Sequence, residues 1–311
     1  MKFKSIIIIV VLILVSVSCN QYEVFEKEQY KNVFALISSN DNIFQKYFDL
    51  RRTESIGYIS FSMGGTNPTS KDLTINIIED QSYIDNYNRA YYDMDVLKYE
   101  KTLPTSKYDI EALQCIIPAG KSGVQIPIRI RPEGLSPDSS YFIAVRIDTY
   151  SDYELNPDKS YLLYRVRIKN YWAQGDGNTS YVLRGLRKQE GQTEIQMPGA
   201  KIMHPLTKNK VRIMIGTEPY KSDIATFNKS AIVLEIHDDN KVTITPYRNA
   251  NVTQIDGDPD FPNIFRTEDD GFKTYKTFLL RYNYVVNGIT YEMKEELRLQ
   301  YNESDEEVIE E

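Results

Sequence analysis

Apolar and polar residues alternate along most of this chain, which is the period of a half-buried strand. Val124, Ile126, Ile128 and Ile130 take every second position, with Gln125, Pro127, Arg129 and Arg131 between them. Leu73, Ile75 and Ile77 repeat the pattern, as do Phe278, Leu280, Tyr282 and Tyr284. It predicts strands over 32–37, 55–63, 72–79, 113–117, 124–130, 141–147 and 162–168, and then over 179–185, 210–216, 231–237, 241–245, 275–286 and 289–299. Pro127 has no N–H to give to a ladder, so it predicts an edge position for its strand. One stretch departs from the pattern. Ile84, Tyr87, Asn88 and Tyr91 fall at helical spacing and predict a helical insertion over 81–92.

The connections carry turn chemistry. Gly64-Gly65-Thr66-Asn67-Pro68 is a loop by composition and lacks the Lys-Ser/Thr ending of a phosphate-binding loop. Asp238-Asp239-Asn240 predicts a tight turn, and Asn287-Gly288 between alternating runs is a strong hairpin signal. Gln174-Gly175-Asp176-Gly177 breaks the alternation, which sets a domain boundary just before Trp172. Short strands over 30–168 suit an antiparallel sandwich. Long hairpin arms over 170–301 suit a closed or nearly closed barrel, which leaves no bare sheet edge. The acidic stretch 302–311 reads as a disordered tail.

The first residues change the setting. Lys2 and Lys4 precede an apolar run from Ile6 to Val15, then Ser16-Val17-Ser18 and Cys19. That order is a secretory signal peptide over 1–18. A membrane-spanning anchor needs about 20 apolar residues, and this run is shorter and ends in Ser and Cys. The small residues followed by Cys19 resemble the lipobox of bacterial lipoproteins, although Ser16 stands where that family prefers Leu. The resemblance implies cleavage before Cys19, lipidation of its thiol and a tether over 19–29. Glu23 and Glu26, with no Lys or Arg from 20 to 26, resemble the surface-export signal of Bacteroidetes lipoproteins. The expected location is therefore the outer membrane, lipid-anchored and facing the exterior.

Further fragments resemble two known modules. Met63-Gly64-Gly65-Thr66, Tyr87-Asn88, Leu103-Pro104 with Tyr108, Ile117-Pro118-Ala119-Gly120 and Leu135-Ser136-Pro137 before Tyr141 resemble the module called domain of unknown function 1735. Val211-Arg212-Ile213-Met214-Ile215-Gly216, the stretch 239–245 and the stretch 278–284 resemble domain of unknown function 4361. The resemblance implies an all-β chain: an N-terminal immunoglobulin-like β-sandwich, then a C-terminal lipocalin-like β-barrel.

Composition narrows the chemistry. The formal charge is −7 and moves to −9 once Lys2 and Lys4 leave with the signal, which speaks against nucleic acid as a partner. After lipidation of Cys19 the one remaining thiol is Cys115, in an apolar strand, where a buried structural role fits. His204 and His237 are isolated, with no second His at zinc-helix spacing and no Gly-x-Ser-x-Gly elbow anywhere. The run Asp256-Gly257-Asp258-Pro259-Asp260 suggests a calcium loop, but Phe261 and Thr267 occupy positions that motif gives to Gly and Glu. It also superficially resembles the catalytic strand of family 18 chitinases, yet Asn263 falls where the acid would be and Pro259 interrupts the strand. It reads as an acidic surface loop. No catalytic residue, metal site or cofactor is expected.

Aromatic surfaces remain. The sequence holds 24 Tyr, 12 Phe and one Trp. Tyr171 and Trp172 sit at the inter-domain junction, and Tyr87, Tyr91 and Tyr92 sit on the predicted insertion. Flat rings suit the C–H faces of sugars, with Asn86, Asn88 and Gln174 nearby for hydroxyls. The expectation is a non-catalytic surface lipoprotein that binds an oligosaccharide or polysaccharide for an uptake system, beside transporter and hydrolase components. The alternative is an adhesin or structural protein that binds a protein partner; a hydrolase is the third reading.

Overall fold

The computed structural model describes residues 31–221 and 223–302, so the signal peptide, Cys19, the tether and tail residues 303–311 lie outside the described residues. Within them the chain is all-β. The first half runs β1 (Val33–Leu36), β2 (Ile43–Asp49), β3 (Ser55–Gly64), β4 (Leu73–Glu79), helix α1 (Ser82–Tyr92), β5 (Lys101–Thr102) and β6 (Tyr108–Ile110). It continues with β7 (Gln114–Ile117), β8 (Gly123–Ile130), β9 (Tyr141–Tyr150), β10 (Glu154–Leu155) and β11 (Tyr161–Lys169).

These strands form two sheets, in the orders β10-β1-β3-β8-β6 and β2-β11-β9-β4-β7, with β5 beside β9. The alternating residues read from the sequence are the filling between them. Leu73, Ile75, Ile77, Ile126, Ile128 and Ile130 are buried in one core with Phe34, Phe48, Phe61 and Tyr164. Each such side chain contributes about 1.5–3 kcal/mol by leaving water. Gly57 has no side chain because the Tyr164 hydroxyl fills that space, and an added Cβ would collide with it.

One expectation needs correction, and one strand went unread. β8 is not an edge strand, since β6 pairs with it outside β3. β6 is short and its register ends at Ile110↔Ile128; beyond it the Glu111 N–H still donates to the Pro127 carbonyl at 3.1 Å, and the proline ring returns no N–H. Strand β2 escaped the sequence reading because Ile43-Phe44-Gln45-Lys46-Tyr47-Phe48 does not alternate. It pairs in parallel with β11 from Ile43↔Leu163 to Asp49↔Lys169.

Helix α1 lies where the 3.6 period predicted it. Ile84 packs on Phe142, Ala144 and Leu163, on the side of the second sheet away from the main core. The buried Asn88 amide donates to the Glu100 carbonyl at 2.9 Å and accepts from the Glu100 N–H at 2.8 Å, closing the loop after the helix.

The second half runs β12 (Ser180–Gln189), β13 (Ile195–Ile202), β14 (His204–Pro205), β15 (Lys210–Met214), α2 (Ile224–Ser230), β16 (Ala231–Ile236) and β17 (Val242–Pro246). It ends with β18 (Asn251–Gln254), β19 (Ile264–Asp269), β20 (Thr274–Val286) and β21 (Ile289–Tyr301). The sheets β13-β12-β21-β20-β18, with β19 also on β20, and β14-β15-β16-β17 curl toward each other as half-barrels. A bridge from Lys241 to Ile264 joins them on one side, and the chain passes from β13 into β14 on the other. The β20–β21 hairpin turns at Asn287 and Gly288, both at positive φ as such turns require. Phe278, Leu280, Tyr282 and Tyr284 all face the core. His204, expected in a loop, is buried in β14. Strands β13, β18 and β19 and helix α2 were not predicted. Pro198 and Gly199 disguise β13, where Pro198 is tolerated on an open sheet edge.

The half-barrels enclose a charged group. Lys201 is fully buried, pairs with Glu295, and donates to the Met214 carbonyl at 2.8 Å. Tyr282 donates to Glu295 at 2.6 Å and accepts from the Gly216 N–H at 2.8 Å. Burial lowers the Lys201 pKa and raises that of Tyr282 well above its ordinary value.

Contacts between the halves are polar and specific. Arg212 of β15 forms a two-pronged ion pair with Asp138, which precedes β9. Tyr47 of β2 donates to Asp176 at 2.5 Å, and burial together with that carboxylate pushes its pKa up to about 12.

Candidate functional site

Where β11 leaves the sandwich, Asn170 shapes the chain. Its side-chain oxygen accepts from the N–H groups of Trp172 (3.1 Å) and Ala173 (3.0 Å). Its amide donates to the carbonyls of Thr207 (2.9 Å) and Lys210 (3.1 Å) in the second half. Tyr171 and Trp172 are thereby fixed against the half-barrels. Trp172 stands edge-on to Phe265 at 5.8 Å and to Tyr171 at 5.5 Å, and Tyr171 stands edge-on to Tyr301 at 6.4 Å. The Tyr181 hydroxyl donates to the Trp172 carbonyl at 2.9 Å.

Lys276, only 4% exposed, places its ammonium 3.8 Å from the Tyr171 ring centre and 4.7 Å from that of Tyr301. It also donates to the Tyr171 carbonyl. The Arg51 guanidinium lies 5.5 Å from the same Tyr171 ring centre and is held by Asp49. Tyr171, Trp172, Lys276 and Tyr301 border a cleft of about 320 Å³ that Gln174, Thr179, Gln300 and Asn302 also line. It offers aromatic surface beside amides and a hydroxyl, within the size range of small-ligand sites. Trp172 is half-buried, so the aromatic surface is shared among Tyr171, Trp172 and Tyr301. Lys276, Gln300 and Tyr301 were not singled out from sequence. The hairpin register that brings Lys276 opposite Leu299 is the signal that points to them.

The other predicted group forms a separate cluster on α1. Tyr87 stacks on Tyr91 at 4.4 Å, and Tyr83 stacks on Tyr161 at 4.2 Å. Tyr87 and Tyr92 are tied down. Arg165 donates to the Tyr87 hydroxyl at 3.0 Å and pairs with Glu100 at 3.2 Å, and Tyr92 donates to Glu100 at 3.2 Å. Burial and the Glu100 charge push the Tyr92 pKa up to about 12. Tyr91 is 54% exposed, and the nearby Asp41 carboxylate raises its pKa. The structure thus pairs Tyr171 with Trp172 and Tyr87 with Tyr91 and Tyr92, and keeps the two groups on different elements.

Other candidates take structural places. Cys115 packs against the sandwich core, and burial pushes its thiol up to about 11. Asp258, expected in a surface loop, is buried and accepts from Arg281 at 2.9 Å and from the N–H groups of Asp260 and Phe261. Lys294 is a second cation beside it at 3.4 Å. Its charge is spent on protein partners. Among the described residues no His, Cys, Asp and Glu group has the arrangement of a metal site. A cavity of about 660 Å³, open and polar, lies between the β16–β17 turn and the loop before β19, with His237, Asp239, Asp256 and Asn263 in its wall.

Two family models match the chain. One, described as an N-terminal domain, covers residues 25–154, and the other, described as C-terminal, covers residues 160–298. The matched ranges meet before β11, whereas hydrogen bonding keeps β11 inside the N-terminal sandwich. No curated protein matches the sequence. Among solved structures, a multidomain protein including domain of unknown function 1735 from Bacteroides ovatus is similar at 14% identity and a TM-score of 0.64, over 86% of this chain and 94% of that one. A protein of unknown function from the same organism is similar at 14% identity and 0.61, over 92% and 98%. An auxiliary nutrient binding protein from Bacteroides thetaiotaomicron is similar at 14% identity and 0.57, over 85% and 94%. At that identity the likeness establishes the shared two-part fold.

Proposed function

We propose that this protein is a non-catalytic lipoprotein of the outer membrane that captures glycans in the junction cleft for a polysaccharide-uptake system. The observation that carries the reading is the grouping of Tyr171, Trp172 and Tyr301 with Gln174, Gln300 and Thr179 around one cleft. Sugars present apolar ring faces and hydroxyl edges, and this cleft offers a surface for each. Its walls are set by strands and by the Asn170 turn, so little order has to be imposed on binding. The fold shared with an auxiliary nutrient binding protein supports the same reading.

The placement of β1 agrees with it. Val33 pairs with Glu154 just past the end of β9, whereas Asp138, which holds the second half, lies just before its start. Ten residues of strand separate those ends by about 30 Å. A lipid on Cys19 would then hold the second half outward.

Calorimetric titration of a panel of plant and host glycans tests the reading. At least one is expected to bind in the micromolar to millimolar range, about −8 to −4 kcal/mol, and Tyr301→Ala is expected to remove most of that binding. Silence across the panel, with capture of a protein partner instead, would transfer the assignment to adhesion. Fatty-acid labelling of the wild type and its absence in Cys19→Ala test the anchor.

A further inference from the structure

The turn that joins β19 to β20 carries an aromatic ring in open water. Phe272 is 96% exposed, the most exposed large apolar side chain among the described residues. A ring so placed adds nothing to the fold through burial. The turn beneath it is nevertheless ordered. The Asp269 side chain accepts from the Gly271 N–H at 2.7 Å, and the Asp270 side chain accepts from the N–H groups of Phe272 (3.0 Å) and Lys273 (2.8 Å). The Asp270 N–H also donates to the Lys273 carbonyl at 3.1 Å.

Strand register sets this turn beside the junction cleft. Thr274 lies opposite Tyr301, and Lys276 lies opposite Leu299. Lys276, Leu299, Gln300, Tyr301 and Asn302 all belong to the cleft wall. From Lys276 back to Phe272 the chain advances at most about 13 Å, at the rise of an extended strand. From this we infer that Phe272 is a further binding residue of the same site, an outlying platform for a glycan long enough to leave the cleft past Tyr301. The inference rests on the glycan-capture reading and deepens it, because it makes chain length a determinant of affinity. A short oligomer held among Trp172, Tyr171 and Tyr301 does not extend to the turn. A longer one that continues along β20 lays another C–H face on the Phe272 ring. The backbone there is ordered beforehand, so stacking on it has little ordering to impose.

Calorimetry of the full chain with two pairs of probes tests this: xylobiose and xylohexaose, and mannobiose and mannohexaose. In a series that binds, Phe272→Ala is expected to weaken the hexasaccharide about tenfold and leave the disaccharide unchanged. Phe272→Tyr, which keeps a flat ring, should retain the wild-type affinity for both lengths. The side chain is exposed, so Phe272→Ala should melt with the wild type, which separates lost stacking from a lost fold. Hexasaccharide binding that Phe272→Ala leaves unchanged overturns the inference while glycan capture stands. Equal weakening of both lengths overturns it as well, since the ring would then act within the cleft. If neither series binds, the same two lengths are prepared from whichever glycan of the wider panel does. Silence across that panel overturns platform and capture together.

Discussion

Arg212, 1% exposed in the second half, forms a two-pronged ion pair with Asp138 of the first, and its guanidinium lies 3.9 Å from the Phe227 ring centre and 4.9 Å from that of Tyr247. Two rings grip the cation and leave its donors pointing across the junction. Removing the carboxylate leaves that charge buried without its partner, which costs about 3 kcal/mol for such a pair. Asp138→Ala is therefore expected to loosen the junction. Differential scanning calorimetry should show one transition in the wild type and two in the variant. An unchanged single transition would mean that other contacts couple the halves.

The half-barrels have their own buried pair. Lys201→Met strands Glu295 in the core beside Tyr282, and the expected cost is about 3–5 kcal/mol. The double variant Lys201→Met/Glu295→Leu should recover much of it, because both charges are then gone. Urea unfolding of the four proteins completes the cycle. Equal losses in the single and double variants would contradict this account of the group.

His204 makes stability depend on pH. It is 4% exposed and stacks on Tyr220, with Arg212, Asp138 and Asp176 as the charged groups around it. Burial first, and then the Arg212 charge, lower its pKa from 6.5 to about 4. Between those values the unfolded chain takes up a proton that the folded chain refuses. Stability conferred by the neutral ring is complete above pH 6.5 and falls as the pH drops toward 4, by up to about 1.4 kcal/mol per unit. His204→Phe should flatten that part of the curve in urea unfolding from pH 7 to pH 4. An identical slope in the variant would assign the effect to other groups.

Much of this was legible in the alternation of residues. Val124 to Ile130 and Phe278 to Tyr284 read as strands with one face inward because a two-sided environment imposes a period of two. The helix was legible because Ile84 and Asn88 must meet one surface from successive turns. What escaped had no local signal. β2 earns its place by pairing with β11, far along the sequence, and β13 contains Pro198 and Gly199. In the cleft, Tyr171 and Trp172 stood out as neighbours in sequence. Lys276 and Tyr301 reach them only through strand register, which tertiary pairing decides.

The loop after α1 offers a local check. The Asn88 side chain makes both of its bonds to the Glu100 backbone in a buried place. Asn88→Ala leaves a buried N–H and a buried carbonyl without partners, at about 1–3 kcal/mol. Hydrogen exchange in residues 93–100 should quicken in this variant, while the hairpin of β20 and β21 keeps its protection. Uniform loss of protection would mean that the loop is not an independent unit.

Trp172 is the one tryptophan of the chain, and it lines the proposed site. The most direct measurement follows its emission while a binding glycan is titrated, beside calorimetry of the same pair. The account predicts a saturable change in emission whose midpoint equals the calorimetric Kd. Calorimetric binding with unchanged Trp172 emission would contradict it and move the site to Tyr91 and its neighbours on α1.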